Sequence, residues 1–132
     1  MNLIKGVGID IAKVSRFDRL LGQKYIEHFL NKALHPIEIE EIHSLKNKDL
    51  KAKYLASRWS FKEALVKATG DKQITFSKVY LAKLSTGKPF ITFEEEYKKS
   101  NKQIEEIADK LHVSISHEDD TSVAIVIVEN RI

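Results

Sequence analysis

Two carboxylates, a lysine and a histidine stand in three separated segments of the chain, at Asp10, Glu63, Lys67 and His117. Asp10 ends an apolar segment, Glu63 and Lys67 lie four residues apart in a helix-forming stretch, and His117 ends an alternating segment. Carboxylate oxygens suit Mg²⁺, and lysines neutralise the charge of phosphate groups. In combination, these residue types predict a site that holds a divalent metal ion against a polyphosphate.

Each of these residues also has a simpler structural interpretation. Asp10 could cap a helix or form a turn. Glu63 and Lys67 could be an exposed helix pair, which contributes only about 0.3–0.5 kcal/mol. His117 could be a hydrogen-bonded structural residue at the end of a strand. The combination therefore favours an enzyme, whereas no single residue does so by itself.

The composition predicts one domain spanning residues 1–132 in a cysteine-free protein. Without cysteine, neither a disulfide framework nor a thiolate zinc site can form. The longest apolar run, at 123–128, is too short to cross a bilayer, and no signal peptide is evident. We therefore expect a cytoplasmic protein without a membrane partner. The net charge of +3 could favour an acidic partner but is too small to indicate nucleic acid.

Hydrophobic periodicity and turn residues predict a single α+β domain. Ser15 and Asp18 suggest a capping box, and Asp49 and Gly70 suggest the start and end of the longest helix. The predicted elements are a strand at 3–10, helices at 15–20, 23–34, 36–46 and 49–69, strands at 79–84 and 89–93, a helix at 94–110, and strands at 113–117 and 122–129.

Other common site motifs are absent from the sequence. The histidines show no HExxH spacing, so the sequence does not indicate a zinc site. Gly6 and Gly8 lack the third glycine of a dinucleotide fingerprint, and no GxxxxGK[ST] phosphate loop occurs.

Four motifs occur in a fixed order: GIDI at 8–11 followed by Arg16, RWSFKEALVKATG at 58–70, GKPF at 87–90 and SISH at 114–117. In these motifs and in length, essentially the whole chain resembles the holo-[acyl-carrier-protein] synthase type of 4′-phosphopantetheinyl transferase. The resemblance implies the 4′-phosphopantetheinyl transferase fold, in which a small antiparallel sheet packs with helices. Two departures are the loop Asp71–Gln73, where the family often has Gly-Thr-Gly, and Thr121, where many members have tyrosine.

The resemblance implies Mg²⁺-dependent transfer of 4′-phosphopantetheine from coenzyme A to a serine of apo-acyl carrier protein, in support of fatty acid biosynthesis. Adenosine 3′,5′-bisphosphate is the leaving product. Asp10 and Glu63 are the implied Mg²⁺ ligands. Glu63 is also the implied general base, acting directly or through a water, and Lys67 would donate to the departing phosphate.

The resemblance also assigns binding residues and an assembly. The residues implied to bind coenzyme A are Arg58, Lys62, Gly70, Lys88, Pro89 and His117. Arg16 and Arg19 would bind an acidic helix of the carrier protein, and the implied assembly is a homotrimer with sites between subunits. Two alternatives are a non-catalytic module that binds an acidic partner or a nucleotide, and a metal-dependent pyrophosphohydrolase. The acceptor could be a carrier protein of fatty acid, polyketide or organellar synthesis.

Overall fold

The structure is a computed structural model that describes residues 2–131. Its elements form an α+β arrangement, in which four helices follow the first strand and the later strands occur in pairs. They are β1 (Asn2–Lys13), α1 (Val14–Leu21), α2 (Ile26–Ala33), α3 (Pro36–Ser44), α4 (Lys48–Thr69), β2 (Val79–Lys83), β3 (Pro89–Phe93), α5 (Glu95–Lys99), α6 (Lys102–Ile107), β4 (Leu111–Glu118) and β5 (Thr121–Arg131).

Two antiparallel sheets organise the strands. A three-stranded sheet has the order β1-β5-β4, and β2 pairs with β3 in a separate hairpin. Asp10 lies opposite Ala124 of the central strand, and His117 lies opposite Ser122. Because directly paired residues point to the same face of a sheet, Asp10 and His117 lie on one face, with β5 between their strands. We call this face, which packs against α4, the inner face.

Two glycines of β1 allow α4 to approach the inner face closely. A Cβ atom on Gly6 would lie 1.9 Å from the carbonyl oxygen of Ala68, and one on Gly8 would lie 1.9 Å from that of Ala64. Any side chain at these positions would overlap the helix backbone. The expectation that glycines in this strand mark a close backbone approach is therefore confirmed.

The hydrophobic core has two clusters that meet along α4. One lies between α4, the inner face, the β2-β3 hairpin and α6, and includes Phe61, Leu65, Val126 and Ile104. The other joins α4 to the first three helices and includes Phe17, Leu30, Ile42 and Leu55. The helix α4 is thus buried on opposite sides, which fixes the direction in which each of its side chains points.

The predicted capping box at Ser15 is wrong. The helix α1 begins at Val14, and its N-cap residue Lys13 makes no side-chain hydrogen bond. Ser15 instead bonds to the β4-β5 turn. Its amide donates to Oδ1 of Asp120 at 2.8 Å, and its hydroxyl donates to Oδ2 at 2.6 Å. A local capping pattern has been replaced by a contact between distant segments, which sequence spacing does not reveal.

Two other helix boundaries also differ from the predictions. Asn47 caps α4, because its side chain accepts a hydrogen bond from the Leu50 amide at 2.9 Å, so the helix begins one residue before Asp49. Gly70 ends α4 in the left-handed conformation, as predicted. The predicted helix at 94–110 is instead two short helices, because Asn101 caps α6 through the Ile104 amide.

The outer face of the three-stranded sheet is uncovered and apolar. Val7, Ile9 and Ile11 are all more than half exposed on β1, and Ile4 is exposed beyond the bulge near the start of that strand. On the neighbouring strand β5, the half-buried side chains of Ile127, Ile125 and Val123 lie opposite Val7, Ile9 and Ile11, respectively. Contiguous exposed apolar surface of this kind marks an interaction face. Within residues 2–131, no helix combines the length and hydrophobicity needed to cross a membrane.

Candidate active site

The helix α4 and the strand β1 bring together two of the predicted site residues. Asp10 is on the inner face, and its side chain is 16 % exposed. Lys67 extends from α4 and places its ammonium nitrogen 3.2 Å from Oδ1 of Asp10. The same nitrogen donates to the carbonyl oxygen of Ile9 at 3.0 Å. The structure therefore joins a carboxylate and a cation that are 57 residues apart in the sequence.

Glu63 lies one helical turn before Lys67, on the same side of α4. Its side chain is half-buried. We find no hydrogen bond or ion pair of its carboxylate with any other residue in the range 2–131. Glu63 is thus a carboxylate beside the Asp10–Lys67 pair that is available to a ligand.

The chemistry of these donors fits a hard divalent cation held partly by its substrate. Of the residues that the structure describes, no three His, Cys, Asp or Glu side chains form a group that could hold a metal ion. A pair of carboxylates, Asp10 and Glu63, is what Mg²⁺ commonly uses when substrate phosphates and waters complete its coordination. In addition, Lys67 contacts Asp10 through Oδ1, and Oδ2 has no hydrogen bond within residues 2–131.

Arg58 lies on another side of α4, facing α3. Its Nε is 3.8 Å from Oε2 of Glu38, its guanidinium carbon lies 4.1 Å from the ring centroid of Tyr54, and its Nη1 donates to the Ser57 hydroxyl at 3.1 Å. Only 15 % of the Arg58 side chain is exposed. Arg58 therefore does not share a surface with Asp10 within one chain.

Lys62 is completely buried, and the phosphate-binding role predicted for it does not fit this position. Its ammonium donates to the carbonyl oxygens of Ala33 and Phe76, each at 2.8 Å, and to Oε1 of Glu38 at 2.5 Å. An ammonium group has three protons, so its donors are all used. Burial lowers the pKa of Lys62 to about 8, and the contact with Glu38 opposes this shift.

Sequence reasoning missed Glu38 and His35, which stand at the start of α3. Oε1 of Glu38 accepts the His35 amide at 2.9 Å, and Nδ1 of His35 accepts the Ile37 amide at 3.0 Å, so the two residues form a reciprocal cap. The run His-Pro-Ile-Glu, with proline at the first helical position, is a signal that could have identified this cap. Burial raises the pKa of the Glu38 carboxyl, and Lys62 opposes the rise.

His35 also links the helices to the hairpin. Its Nε2 lies 3.5 Å from Oε2 of Glu94, just after β3, and its ring lies against Tyr80 of β2 with centroids 4.5 Å apart. Burial lowers the pKa of His35, with further lowering by Lys62 and Lys78, while Glu94 acts in the opposite direction. The neutral imidazole is the form that accepts the Ile37 amide.

The remaining residues predicted to bind coenzyme A lie in three different parts of the fold, and of these only His117 shares the inner face with Asp10. Gly70 lines a cavity of about 630 Å³ at the end of α4, together with Lys5 and Lys72. Lys88 and Pro89 line a cavity of about 350 Å³ between the hairpin and the β4-β5 side of the sheet. His117 is exposed on the inner face. One chain therefore does not gather all these residues around Asp10.

The two arginines predicted to bind the carrier protein are exposed on α1. The guanidinium carbon of Arg16 lies 5.1 Å from the ring centroid of Phe17 and 5.7 Å from that of Trp59. Arg19 lies in the last turn of the helix. Arg16 is thus held against aromatic rings, whereas Arg19 makes no ring contact or ion pair within residues 2–131.

The sequence and the fold both match known proteins over nearly the full chain. The sequence profile of the 4′-phosphopantetheinyl transferase superfamily matches residues 6–126. A holo-[acyl-carrier-protein] synthase from Maridesulfovibrio salexigens is 38% identical over 130 residues, which are 96% of this chain and 99% of that protein. The chain therefore belongs to the 4′-phosphopantetheinyl transferase superfamily, within the holo-[acyl-carrier-protein] synthase family.

Solved structures agree with this assignment. A holo-ACP synthase from Plasmodium yoelii has a TM-score of 0.82 at 25% identity, covering 100% of this chain and 99% of that one. A holo-(acyl-carrier-protein) synthase from Bacillus anthracis, solved in complex with CoA (3′,5′-ADP), has a TM-score of 0.75 at 27% identity, covering 97% of this chain and 98% of that one. The predicted fold class and the prediction of a phosphopantetheinyl transferase enzyme are confirmed.

Proposed function

We propose that this chain transfers 4′-phosphopantetheine from coenzyme A to a serine hydroxyl of an apo-acyl carrier protein. The observation that supports it most directly is the position of Asp10, Glu63 and Lys67 at the contact of β1 and α4. These are the residues for which the family motif implies chemistry. The coenzyme bound to the related Bacillus anthracis protein supports coenzyme A as the donor here.

In the proposed reaction, the serine oxygen forms a bond to the β-phosphorus of coenzyme A. The bond from this phosphorus to the oxygen of the adenosine 3′,5′-bisphosphate leaving group breaks. Glu63 accepts the serine proton, directly or through a water that it positions. Lys67 donates to the departing phosphate, where negative charge develops.

Mg²⁺ belongs to the proposal as a cofactor. Asp10 and Glu63 would hold it. When bound, it would supply charge neutralisation for the pyrophosphate. Lys67 already lies against Oδ1 of Asp10, and Oδ2 faces no donor within residues 2–131.

We further propose that the active assembly is a homotrimer with each site between two chains. The uncovered apolar face around Val7 and Ile11 supports an interface between copies. The separation of the residues predicted to bind coenzyme A gives a second reason. A site between chains could bring Lys88 and Pro89 of one chain to the Asp10 region of another, which one chain by itself does not do.

Arg16 and Arg19 form the proposed docking surface for acidic residues of the carrier protein. Because Arg16 is held against two aromatic rings, its charge is fixed in position before the partner arrives. A cytoplasmic location remains a prediction from the cysteine-free sequence.

Incubation of the protein with apo-acyl carrier protein, coenzyme A and Mg²⁺ tests the proposal. Intact-mass spectrometry should show the carrier protein gaining one phosphopantetheine group on a serine, with release of adenosine 3′,5′-bisphosphate. Cleavage of coenzyme A without modification of the carrier would instead indicate a pyrophosphohydrolase. Binding without any reaction would indicate a non-catalytic module.

The variant Glu63→Gln tests the assignment of the site. It should abolish transfer and leave the free energy of unfolding nearly unchanged, because the replaced carboxylate makes no ion pair within residues 2–131. Glu105→Gln, an exposed carboxylate on α6, is the matched control and should transfer normally. Full activity of Glu63→Gln would show that the assignment of the metal and the base is wrong.

A further inference from the structure

Lys62 attaches the middle of α4 to three separate elements of the chain. Its ammonium bonds to the carbonyl oxygen of Ala33 at the end of α2, to Glu38 in α3, and to the carbonyl oxygen of Phe76 in a 3₁₀ turn before β2. The side chain has no exposed surface. A group with three fixed acceptors in three directions restricts rotation of the helix at that turn.

The opposite side of the same turn is held by the strand β1. The carbonyl oxygen of Ala64 lies only 1.9 Å from the position that a Cβ atom on Gly8 would take, so the helix and the strand are in direct backbone contact. Successive residues of an α-helix are about 100° apart around its axis. Lys62 and Ala64 therefore point about 160° apart, and Glu63 projects from the side of the helix between them.

We propose that Lys62 is a positioning residue for Glu63: with Glu38, it sets the rotation of α4 that directs Glu63 and Lys67 toward Asp10. This inference rests on the function proposed above. The tip of a helical side chain lies roughly 5–6 Å from the helix axis, so a rotation of 10° moves it by about 1 Å. A displacement of that size can lower a catalytic rate on the order of 100-fold.

The chemistry of Glu38 explains why this role requires a lysine and a carboxylate together. Glu38 has no exposed surface, and its Oε1 accepts both the Lys62 ammonium and the His35 amide. Loss of Lys62 alone would leave a buried carboxylate without its main partner, which strongly destabilises a protein. A single substitution of Lys62 would therefore lower the stability of the protein as well as change the orientation of α4. The two effects can be separated only when Lys62 and Glu38 are changed together.

The double variant Lys62→Met with Glu38→Met replaces the buried ion pair by apolar side chains, a change that other proteins often tolerate. A second double variant, Lys62→Met with Glu38→Gln, keeps an acceptor for the His35 amide. Lys53→Met is the control, because Lys53 is an exposed lysine of α4 whose one ion pair within residues 2–131 is with Asp49, at 3.2 Å. Circular dichroism and urea unfolding identify the double variant that folds with stability close to the wild type.

Two measurements on the folded double variant test positioning. Mn²⁺ can replace Mg²⁺ at oxygen ligands, and its binding in the presence of coenzyme A is measured by electron paramagnetic resonance. We expect the Kd for Mn²⁺ to rise about tenfold and kcat to fall on the order of 100-fold, with an unchanged KM for the carrier protein. If Lys62 contributed only to stability, the folded double variant would have the wild-type Kd for Mn²⁺ and the wild-type kcat.

Wild-type Mn²⁺ affinity and kcat in a folded double variant would overturn the proposal. Failure of both double variants to fold would also overturn it, because Lys62 would then be needed for folding itself. If the wild-type protein modifies no carrier protein, the proposed function fails, while the Mn²⁺ measurement still tests the role of Lys62 separately.

Discussion

Lys67 donates to Oδ1 of Asp10 at 3.2 Å and, with the same nitrogen, to the Ile9 carbonyl oxygen at 3.0 Å. The helix α4 is thereby joined to β1 beside Asp10, the carboxylate that we propose as a metal ligand. More than half of the Lys67 side chain is exposed, at 54 %. The contact therefore positions a cation for a ligand and contributes little to the stability of the fold.

The variant Lys67→Met should separate catalysis from stability. We expect kcat to fall on the order of 100-fold, because the proposed donor to the leaving phosphate is lost. The free energy of unfolding should change by less than about 1 kcal/mol, as for other exposed ion pairs. Steady-state transfer assays and urea unfolding measure the two quantities. A kcat equal to that of the wild type would remove Lys67 from the proposed mechanism.

The variant Gly8→Ala tests the close contact between β1 and α4. The new Cβ would lie 1.9 Å from the Ala64 carbonyl oxygen and 2.6 Å from the Ala68 nitrogen, so the helix must move away from the strand. We expect a loss of about 1–3 kcal/mol in the free energy of unfolding, together with reduced transfer. The control is Gly22→Ala, where the nearest atom is 3.5 Å away. Equal stability of the two variants would contradict the packing described for α4.

A charge on the outer face should dissociate the proposed trimer. Val7 is 53 % exposed and lies opposite Ile127 in the register, so Val7→Glu places a carboxylate in the centre of the apolar surface. Light scattering after size-exclusion chromatography should show a trimer for the wild type and a monomer for this variant. Lys99→Glu, an exposed change on α5, should remain trimeric. A monomeric wild type that transfers at full rate would exclude sites between subunits.

Arg19 provides a test of carrier-protein docking. The charge reversal Arg19→Glu should raise the KM for the carrier protein about tenfold while kcat stays the same, and the KM should depend less on salt. Arg16 is less suitable, since its contacts with Phe17 and Trp59 mean that a substitution also removes packing. The exposed residue Lys102 supplies the control, Lys102→Glu. Unchanged KM values for Arg19→Glu would place the docking surface elsewhere.

His35 should make the stability of the protein sensitive to acid. Burial lowers the pKa of the folded imidazole below its usual value of about 6.5, whereas the unfolded chain takes up the proton at about that value. Stability linked to this group is therefore fully present above about pH 6.5 and is lost as the pH falls toward the folded pKa. Melting temperatures between about pH 5 and pH 8 measure the effect.

The variant His35→Asn tests the origin of this pH dependence. Asparagine is a good N-cap residue that does not titrate, so the fall in melting temperature below about pH 6.5 should become smaller. His28→Asn is the control, because His28 is exposed on α2. An identical pH profile for His35→Asn and the wild type would assign the acid sensitivity to another group.

Much of the fold follows from local sequence patterns. The helix ending at Gly70, the proline at the start of α3 and the β2-β3 hairpin were all predictable, because each depends on residues close together in the chain. The bond between Ser15 and Asp120 was not predictable. These residues are 105 positions apart, and the same serine also fits a local capping box. At Ser15, hydrogen bonds to Asp120 form in place of the local capping box.

The sequence by itself determined the family and the residue types available for phosphate chemistry, and it predicted Asp10 and Glu63 as the carboxylates of the site. It could not determine what each lysine of the central motif contacts. Lys62 and Lys67 are five positions apart, which on a helix separates them by about 140°. Only packing on both sides of α4 decided that Lys67 faces Asp10 while Lys62 is buried against Glu38. A lysine is rarely buried unless a partner compensates its charge, and that partner came from α3, which the motif does not include.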